Sequence, residues 1–439
     1  MGSSSQVNTP DSAGHRGRLL PGTRRGGGER LTAAVALTSL VLVALSYVIN
    51  AMDRQVFPVL LPPIRKDLGF TLAGGGLLAT IFTLGLGLAG VPTGYLLDRL
   101  TRKAVMVIGI LIYSAFTLLT AAAVGFGDMF AYRTLSGVGE GMQNAALFSA
   151  VGAYFFAHRA LALGSLNFAY GVGGFLGPLL GAKLGVASGW RTPFYVYGGI
   201  GMVFVLLIAT LIRKRFTEQA GDDGAAAAAA AGGAPRSIAH VPANLYNRNI
   251  LLLCLTSAVV GVAGYGYLGL YPTFLQTRLH FSQVQAGTAA SIFGLGALMG
   301  LPAGYLGDKL NQKWVLITAL LAGCVVGYLI FNGPTSVGAQ YTLSFFQGAI
   351  ASGFLFVNLY SVMQRSVRAD SVGRASGLFI TALYVPSSVA GYLFAELEGK
   401  LGWGVAGFVQ LTGGLLVGVV AMLFVDPRRF SNAAVLPGH

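Results

Sequence analysis

Apolar residues in this chain collect into runs of about twenty, the length that crosses a bilayer as a helix. Short polar or charged breaks separate them. Such windows fall at 33–60, 74–97, 104–124, 129–151, 160–186, 193–212, 250–275, 284–307, 314–331, 338–362, 373–395 and 402–425. They predict an all-α membrane protein of twelve transmembrane helices, numbered here as spans in chain order. The first window exceeds what one straight span needs, so a tilt or a break near Asp53 is expected. The widest break, 214–248, carries Glu218, Asp222, Asp223 and the alanine run 225–231, a composition that reads as a linker. It divides the chain into a tail (1–30), a six-helix bundle (31–213), the linker, a second bundle (249–426) and a C-terminal tail (427–439).

Composition agrees with a lipid environment. Of 439 residues, 54% are hydrophobic and 10% charged, against about 25% charged in soluble domains. The 64 glycines suit helices packed closely in lipid. The polar, Gly- and Arg-rich first 30 residues do not resemble a cleavable signal peptide.

A net charge of +14 would suit nucleic acid, but its placement excludes that partner. Most of the Lys and Arg fall in the tails, the linker and the loops on the same side as the termini. The opposite loops hold only Arg65, Lys66, Arg191, Arg278 and Lys400. Cationic loops stay in the cytoplasm, so both termini are expected there, in a multi-pass protein of the inner membrane. Cys254 and Cys324 lie within spans without metal-ligand spacing and read as small apolar residues.

The two halves repeat. Pro92-x-Gly94-Tyr95-Leu96-x-Asp98-Arg99-Leu100-x-x-Lys103 after the second span matches Pro302-x-Gly304-Tyr305-Leu306-x-Asp308-Lys309-Leu310-x-x-Lys313 after the eighth. One turn of this kind reads as a solvated charged loop. Two at a constant offset indicate a duplicated six-helix unit. The paired segments resemble the signature loop of the major facilitator superfamily, differing from it in having Thr101 and Asn311 at the usual second glycine. The resemblance covers the whole chain and implies two pseudo-symmetric six-helix bundles around a central cavity that opens alternately to either side. It also implies a gating role for Asp98, Arg99, Arg102, Lys103, Asp308, Lys309 and Lys313. The acids suit helix-terminus capping, and the cations suit helix C-termini or anionic headgroups.

The most informative residue is Glu140. It lies 12 residues beyond Asp128, so a helix carries it about 18 Å deep, near the middle of a hydrocarbon core about 30 Å thick. Ionisable groups at that depth are costly and mark function. Arg133, Gly137, Glu140 and Asn144 share one helix face. A second ionisable pair, Asp53–Arg54, interrupts the first span. Arg133-x-x-x-Gly137-x-Gly139-Glu140 resembles the fourth-helix motif of the superfamily. With Asn50-Ala-Met-Asp53-Arg54 it points to two branches, the organic anion:cation symporters and the Spinster-like lipid transporters. That resemblance implies proton coupling through Glu140 and Asp53. A direct Glu140–Arg133 pair would need to bridge about 10 Å along the axis. Two roles stay open for Arg54: gripping a carboxylate or phosphate bidentately, or neutralising Asp53.

The second half lacks these charges. Ser344 stands where the first half has Arg133, and Ala351 where it has Glu140, so a proton site in one half faces a neutral, aromatic wall in the other. Tyr47, Asn50, Asn144, Asn167, Tyr170, Tyr265, Tyr271, Asn358, Tyr384 and Ser387, with Arg133, are candidate lining residues. Each alone is more often a helix-packing or interfacial residue.

The fifth span carries Gly164, Gly173, Gly177, Pro178, Gly181 and Ala182. The series is similar to a motif of proton-coupled drug antiporters, and small residues at this spacing also simply let two helices approach. Gly85-x-Gly87-x-x-Gly90 fits a dinucleotide-binding string but lies inside an apolar helix. Neither an ATP-binding loop nor a metal or catalytic cluster is evident, so no cofactor and no enzymatic activity are expected. The reading is proton-coupled symport of a small organic anion by a monomer in the lipid bilayer. The alternatives are a Spinster-like transporter of lysolipid or other amphiphiles, and a drug:proton antiporter.

Overall fold

The computed structural model describes residues 31–155, 159–218, 242, 244–368 and 371–430, and their regular structure is entirely helical. The expected tail 1–30, most of the linker and the C-terminal residues 431–439 lie outside the described residues. Nine described stretches are long and apolar enough to cross a membrane. The last of them, Arg374–Leu423, contains two spans. They part at Gly402, whose φ of 79° falls in the left-handed region that glycine tolerates. Two further helices, Phe126–Tyr154 and Arg159–Ser188, are 29 and 30 residues long. The first carries Arg133, Glu140, Gln143 and Asn144, which lower its hydropathy. Together these make the fourth and fifth spans of a twelve-span bundle.

The first span is one helix, Ala33–Leu68, unbroken at Asp53 despite Pro58, Pro62 and Pro63. The break considered near Asp53 is therefore absent. At 36 residues it is about 54 Å long, so its excess over the hydrocarbon is taken up by tilt or projection. The second span does break, at Ile81, between Leu72–Thr80 and Phe82–Arg99. The tenth, Val337–Arg365, passes through a π-helical stretch at Ala349–Phe356.

Duplication extends from the loops into the packing. A Cβ at Gly137 of the fourth span would strike the Phe82 carbonyl of the second, and one at Gly348 of the tenth would strike the Phe293 carbonyl of the eighth. Gly85 meets the Thr134 carbonyl in the same way, and Gly296 the Phe345 carbonyl. Small residues thus bring the second span onto the fourth and the eighth onto the tenth at backbone contact.

The signature loops show the same symmetry. Thr101 and Asn311, the positions that depart from the family pattern, N-cap the third span (Arg102–Ala122) and the ninth (Gln312–Asn332). Lys103 Nζ donates to the Ala209 and Ile212 carbonyls at 2.7 and 2.6 Å, at the end of the sixth span (Arg191–Leu211). Lys313 Nζ donates to Leu423 and Val425 at 2.7 and 2.9 Å, at the end of the twelfth. Each lysine satisfies carbonyls that a helix end leaves open and sits at its negative pole.

The halves bond to each other at the end away from the termini. Thr80 Oγ1 donates to the Ser388 carbonyl at 2.8 Å, and Gln276 and Gln283 donate to the Val59 and Ala182 carbonyls. Gly76 and Gly391 meet there backbone to backbone.

Candidate functional site

The first and fourth spans bring a group of charged side chains into the interior of the first half, and the third adds Thr117. Asp53, Arg54, Arg133 and Glu140 are all buried, and among the described residues they are the charged side chains that are. Their formal charges cancel, as burial in a low-dielectric interior requires. Glu140 sits midway along Phe126–Tyr154, as its sequence depth implied.

The pairing is crossed. Arg54 Nε donates to Glu140 Oε2 at 2.9 Å, so Arg54 neutralises Glu140 and not its neighbour Asp53. Consecutive helix residues point about 100° apart, which turns Asp53 toward the third and fourth spans instead. Thr117 Oγ1 donates to Asp53 Oδ2 at 2.7 Å, and Arg133 Nη1 lies 4.0 Å from the same oxygen. Ser136 Oγ lies 3.4 Å from Asp53 Oδ2 and 3.3 Å from Glu140 Oε1, bridging the two acids.

The two ion pairs differ in quality. Around Arg54 the network is complete: Nη2 donates to Asn50 Oδ1 at 3.1 Å, Asn50 Nδ2 to Gln143 Oε1 at 2.8 Å, and Gln143 Nε2 to Ser46 Oγ at 3.1 Å. With its amide oxygen turned to Arg54, Asn144 accepts from Nη2 at 3.3 Å. Arg133 is held otherwise. Its three guanidinium nitrogens and Asp53 Oδ1 have no hydrogen-bond partner, and the guanidinium carbon lies 5.0 Å from the Phe57 ring centre and 5.2 Å from that of Phe82. Cation–π contact contributes to holding it, at a desolvated position where such contacts are strongest.

Half-buried aromatic side chains border this network. Tyr170 lies under Arg54 at 5.5 Å and beside Tyr47 at 5.7 Å. From the second half, Tyr265 reaches Phe82 and Tyr384, each at 5.9 Å between ring centres. Tyr47, Asn50, Asn144, Tyr170, Tyr265 and Tyr384 thus gather around the charged network, directly or through Phe82.

Other expected lining residues lie elsewhere. Tyr271 stacks on Tyr267 at 4.6 Å and donates to Gln340, inside the second half. Asn358 ties the tenth span to the Ala303 carbonyl of the eighth. Ser387 donates to its own helix at Leu383, and Asn167 is exposed. Gly173, Gly177 and Gly181 pack against Val48, Met52 and Val56 of the first span, the helix-approach role of a small-residue series. Lys183 is exposed.

Among the loop cations, Arg102 Nη1 donates to the Thr217 carbonyl at 3.1 Å and Lys309 lies 5.7 Å from the Tyr305 ring centre, both within their own halves. Arg99 is exposed. The side chains of Asp98 and Asp308 lie outside the described ones.

Gln143, Ser46, Ser136 and Thr117 belong to the network and were not anticipated. Gln143 and Ser136 sit three and four residues from Glu140, on its helix face, and Ser46 four before Asn50; that spacing was the available signal. Thr117 offered none, because a lone threonine in a span commonly bonds its own backbone.

Among the described residues, the second half fills the corresponding place differently. Ser344 Oγ donates to the Ala289 carbonyl at 2.6 Å and lies 2.9 Å from Tyr267 OH. Gly264, Gln347 and Ala351 line a void of about 10 Å³, the scale of a single water position.

Other proteins resemble this chain in sequence and in fold. The chain is 25% identical over 420 residues to the "Probable L-galactonate transporter" of Escherichia coli (strain K12), covering 90% of this chain and 91% of that protein. It is 24% identical over 411 residues to the hexuronate transporter of Bacillus subtilis (strain 168), covering 89% and 95%. In three dimensions it resembles a bacterial homolog of the human lysosomal transporter Spinster, crystallised inward-facing and occupied. The TM-score is 0.68 at 19% identity, over 90% of this chain and 95% of that one. The family model of the Major Facilitator Superfamily matches residues 43–391. The chain is a multi-pass membrane transporter, not an enzyme, and it belongs to the Major Facilitator Superfamily.

Proposed function

We propose that this protein is a proton-coupled symporter of small organic anions, working by alternating access from the inner membrane with both termini in the cytoplasm. The observation that carries the reading is the buried Arg54–Glu140 pair at 2.9 Å, bordered by half-buried tyrosines from both halves. The two relatives are named for galactonate and hexuronate, carboxylates at neutral pH, and this favours an anion over a lysolipid or a cationic drug.

The chemistry follows from competition for one guanidinium. While Glu140 is ionised it occupies Arg54. Protonation of Glu140 removes that anion and leaves Arg54 a buried cation needing a partner. A substrate carboxylate supplies one, with the two-pronged geometry that guanidinium favours. Proton and anion then enter together, and their joint binding shifts the balance between conformations because each prefers one state. Asp53 modulates or shares the proton through Ser136, which bridges the two acids. The contacts between Thr80, Gly76, Ser388 and Gly391 serve as the closed outer gate. The signature loops gate from the other end, each anchored in its own half. A monomer suffices for this cycle.

Proteoliposomes with an alkaline interior test the reading. Galactonate or glucuronate is expected to accumulate above its external concentration and to stop doing so when a protonophore collapses the gradient. The neutral sugar galactose is not. Gradient-independent flux, or selective movement of lysolipid, would contradict it.

A further inference from the structure

A groove of about 340 Å³ opens on the outside of the bundle, between the start of the first span and the end of the sixth. Ala34, Val35, Thr38, Val41, Leu45 and Leu211 are among its lining residues. Thr38 and Ser39 donate to the carbonyls of Ala34 and Val35, one turn back on their own helix, so their hydroxyls make no demand on an occupant and the groove behaves as apolar. From Ala34 to Leu45 it runs about 16 Å along the helix axis. One leaflet of a hydrocarbon core is about 15 Å deep. Groove length and leaflet depth therefore agree, and the volume falls among ligand pockets of roughly 300–1,000 Å³.

Its rim is cationic. Ile212, a lining residue, is followed by Arg213, Lys214 and Arg215, all exposed. They are carried on a fixed platform. The short helix Lys214–Glu218 buries Phe216 against Tyr154 at 4.9 Å, the Thr217 carbonyl accepts from Arg102, and Glu218 accepts from the Lys103 backbone. With Glu218 so engaged, three exposed neighbouring cations directly follow the groove-lining Ile212.

We propose that this groove is a binding site for an anionic phospholipid, with one acyl chain along the first span and the headgroup phosphate on Arg213, Lys214 and Arg215. Charge selects the class: three cations at a membrane surface favour a phosphate bearing net negative charge over a zwitterionic headgroup. The apolar channel selects a lipid over a free phosphate. The site lies outside the charged network of the first half and does not depend on what the protein transports.

Lipid retention on the purified full-length protein, read by native mass spectrometry after exchange into dioleoyl phosphatidylglycerol or dioleoyl phosphatidylcholine, tests the proposal. The wild type is expected to retain phosphatidylglycerol in preference by about tenfold or more. Arg213→Gln, Lys214→Gln, Arg215→Gln together are expected to abolish that preference. Thr38→Trp and Val41→Trp, at exposed groove positions, are expected to lower phosphatidylglycerol retention with the cations intact. Soluble glycerol phosphate is expected not to displace the lipid. Equal retention of the two lipids by wild type would overturn the proposal, as would unchanged phosphatidylglycerol binding in both kinds of variant. Displacement by glycerol phosphate would overturn the groove and leave a headgroup site only. Variants are compared where each elutes as a single species of wild-type size, and Val41→Trp keeps the groove test open if Thr38→Trp misfolds.

Discussion

The two halves of this protein are built on one packing scheme and filled with different chemistry. Gly137 against Phe82 and Gly348 against Phe293 place the same helix crossings in each. At the heart of the first crossing lie Arg133 and Glu140; at the second lie Ser344 and Ala351, with Tyr267 and a small void. A duplicated scaffold therefore does not imply duplicated function. Close helix approach depends on glycine at a few backbone contacts and leaves neighbouring side chains free to diverge. Among the described residues, buried charge in one half and its absence from the other is the asymmetry on which the proposed proton coupling rests.

The comparison breaks most severely at Arg54. Arg54→Ala strands Glu140 as a buried charge without its partner, a change that costs about 3–5 kcal/mol. Transport is expected to vanish, with a marked fall in thermal unfolding temperature in detergent. Arg54→Met with Glu140→Leu is expected to recover most of that stability without recovering transport, because an apolar pair replaces a buried ion pair with little loss. Transport in Arg54→Ala would show that the guanidinium is dispensable.

The shared scaffold is tested by equal treatment of its two copies. Gly137→Ala and Gly348→Ala each force a methyl group into a carbonyl of the neighbouring span. Each is expected to lower stability by about 1–3 kcal/mol, the usual range for overpacking. Similar losses in denaturant or thermal unfolding support a common skeleton; loss in one alone argues against it.

Ser344→Ala is the mildest probe. It removes a hydroxyl that donates to Ala289 and meets Tyr267, an interaction contributing about 1 kcal/mol. A small drop in stability with an unchanged pH profile of uptake is expected. A shifted profile would place a proton-linked group in the second half.

Much of the site was legible in the sequence because membrane depth constrains so strongly. Glu140 could be placed near midplane by counting from a loop, and the repeated loops gave the duplication. Partner choice was hidden, since it depends on the rotation of one helix against another. Asp53 and Arg54 are adjacent in sequence yet take different partners, and the Arg54–Glu140 bond joins positions that no local pattern connects. Tyr271 and Asn358 looked the same as Tyr265 and Tyr384 for a similar reason. Each is a polar group in an apolar helix, and only packing decides whether it borders the charged network or bonds inside its own half. The sequence left a tilt or a break open for the first span, and the helix runs on unbroken because partners on the third and fourth spans take up Arg54 and one oxygen of Asp53.

The central claim is that Glu140 exchanges Arg54 for a proton as the substrate anion arrives. Glu140→Gln keeps the shape and a hydrogen-bonding oxygen for Arg54 while fixing the position as neutral. Reconstituted in proteoliposomes, this variant should exchange internal for external organic anion at a rate within a few-fold of wild type. It should fail to accumulate anion when an inward proton gradient is imposed. Gradient-driven accumulation by Glu140→Gln equal to wild type would contradict the account.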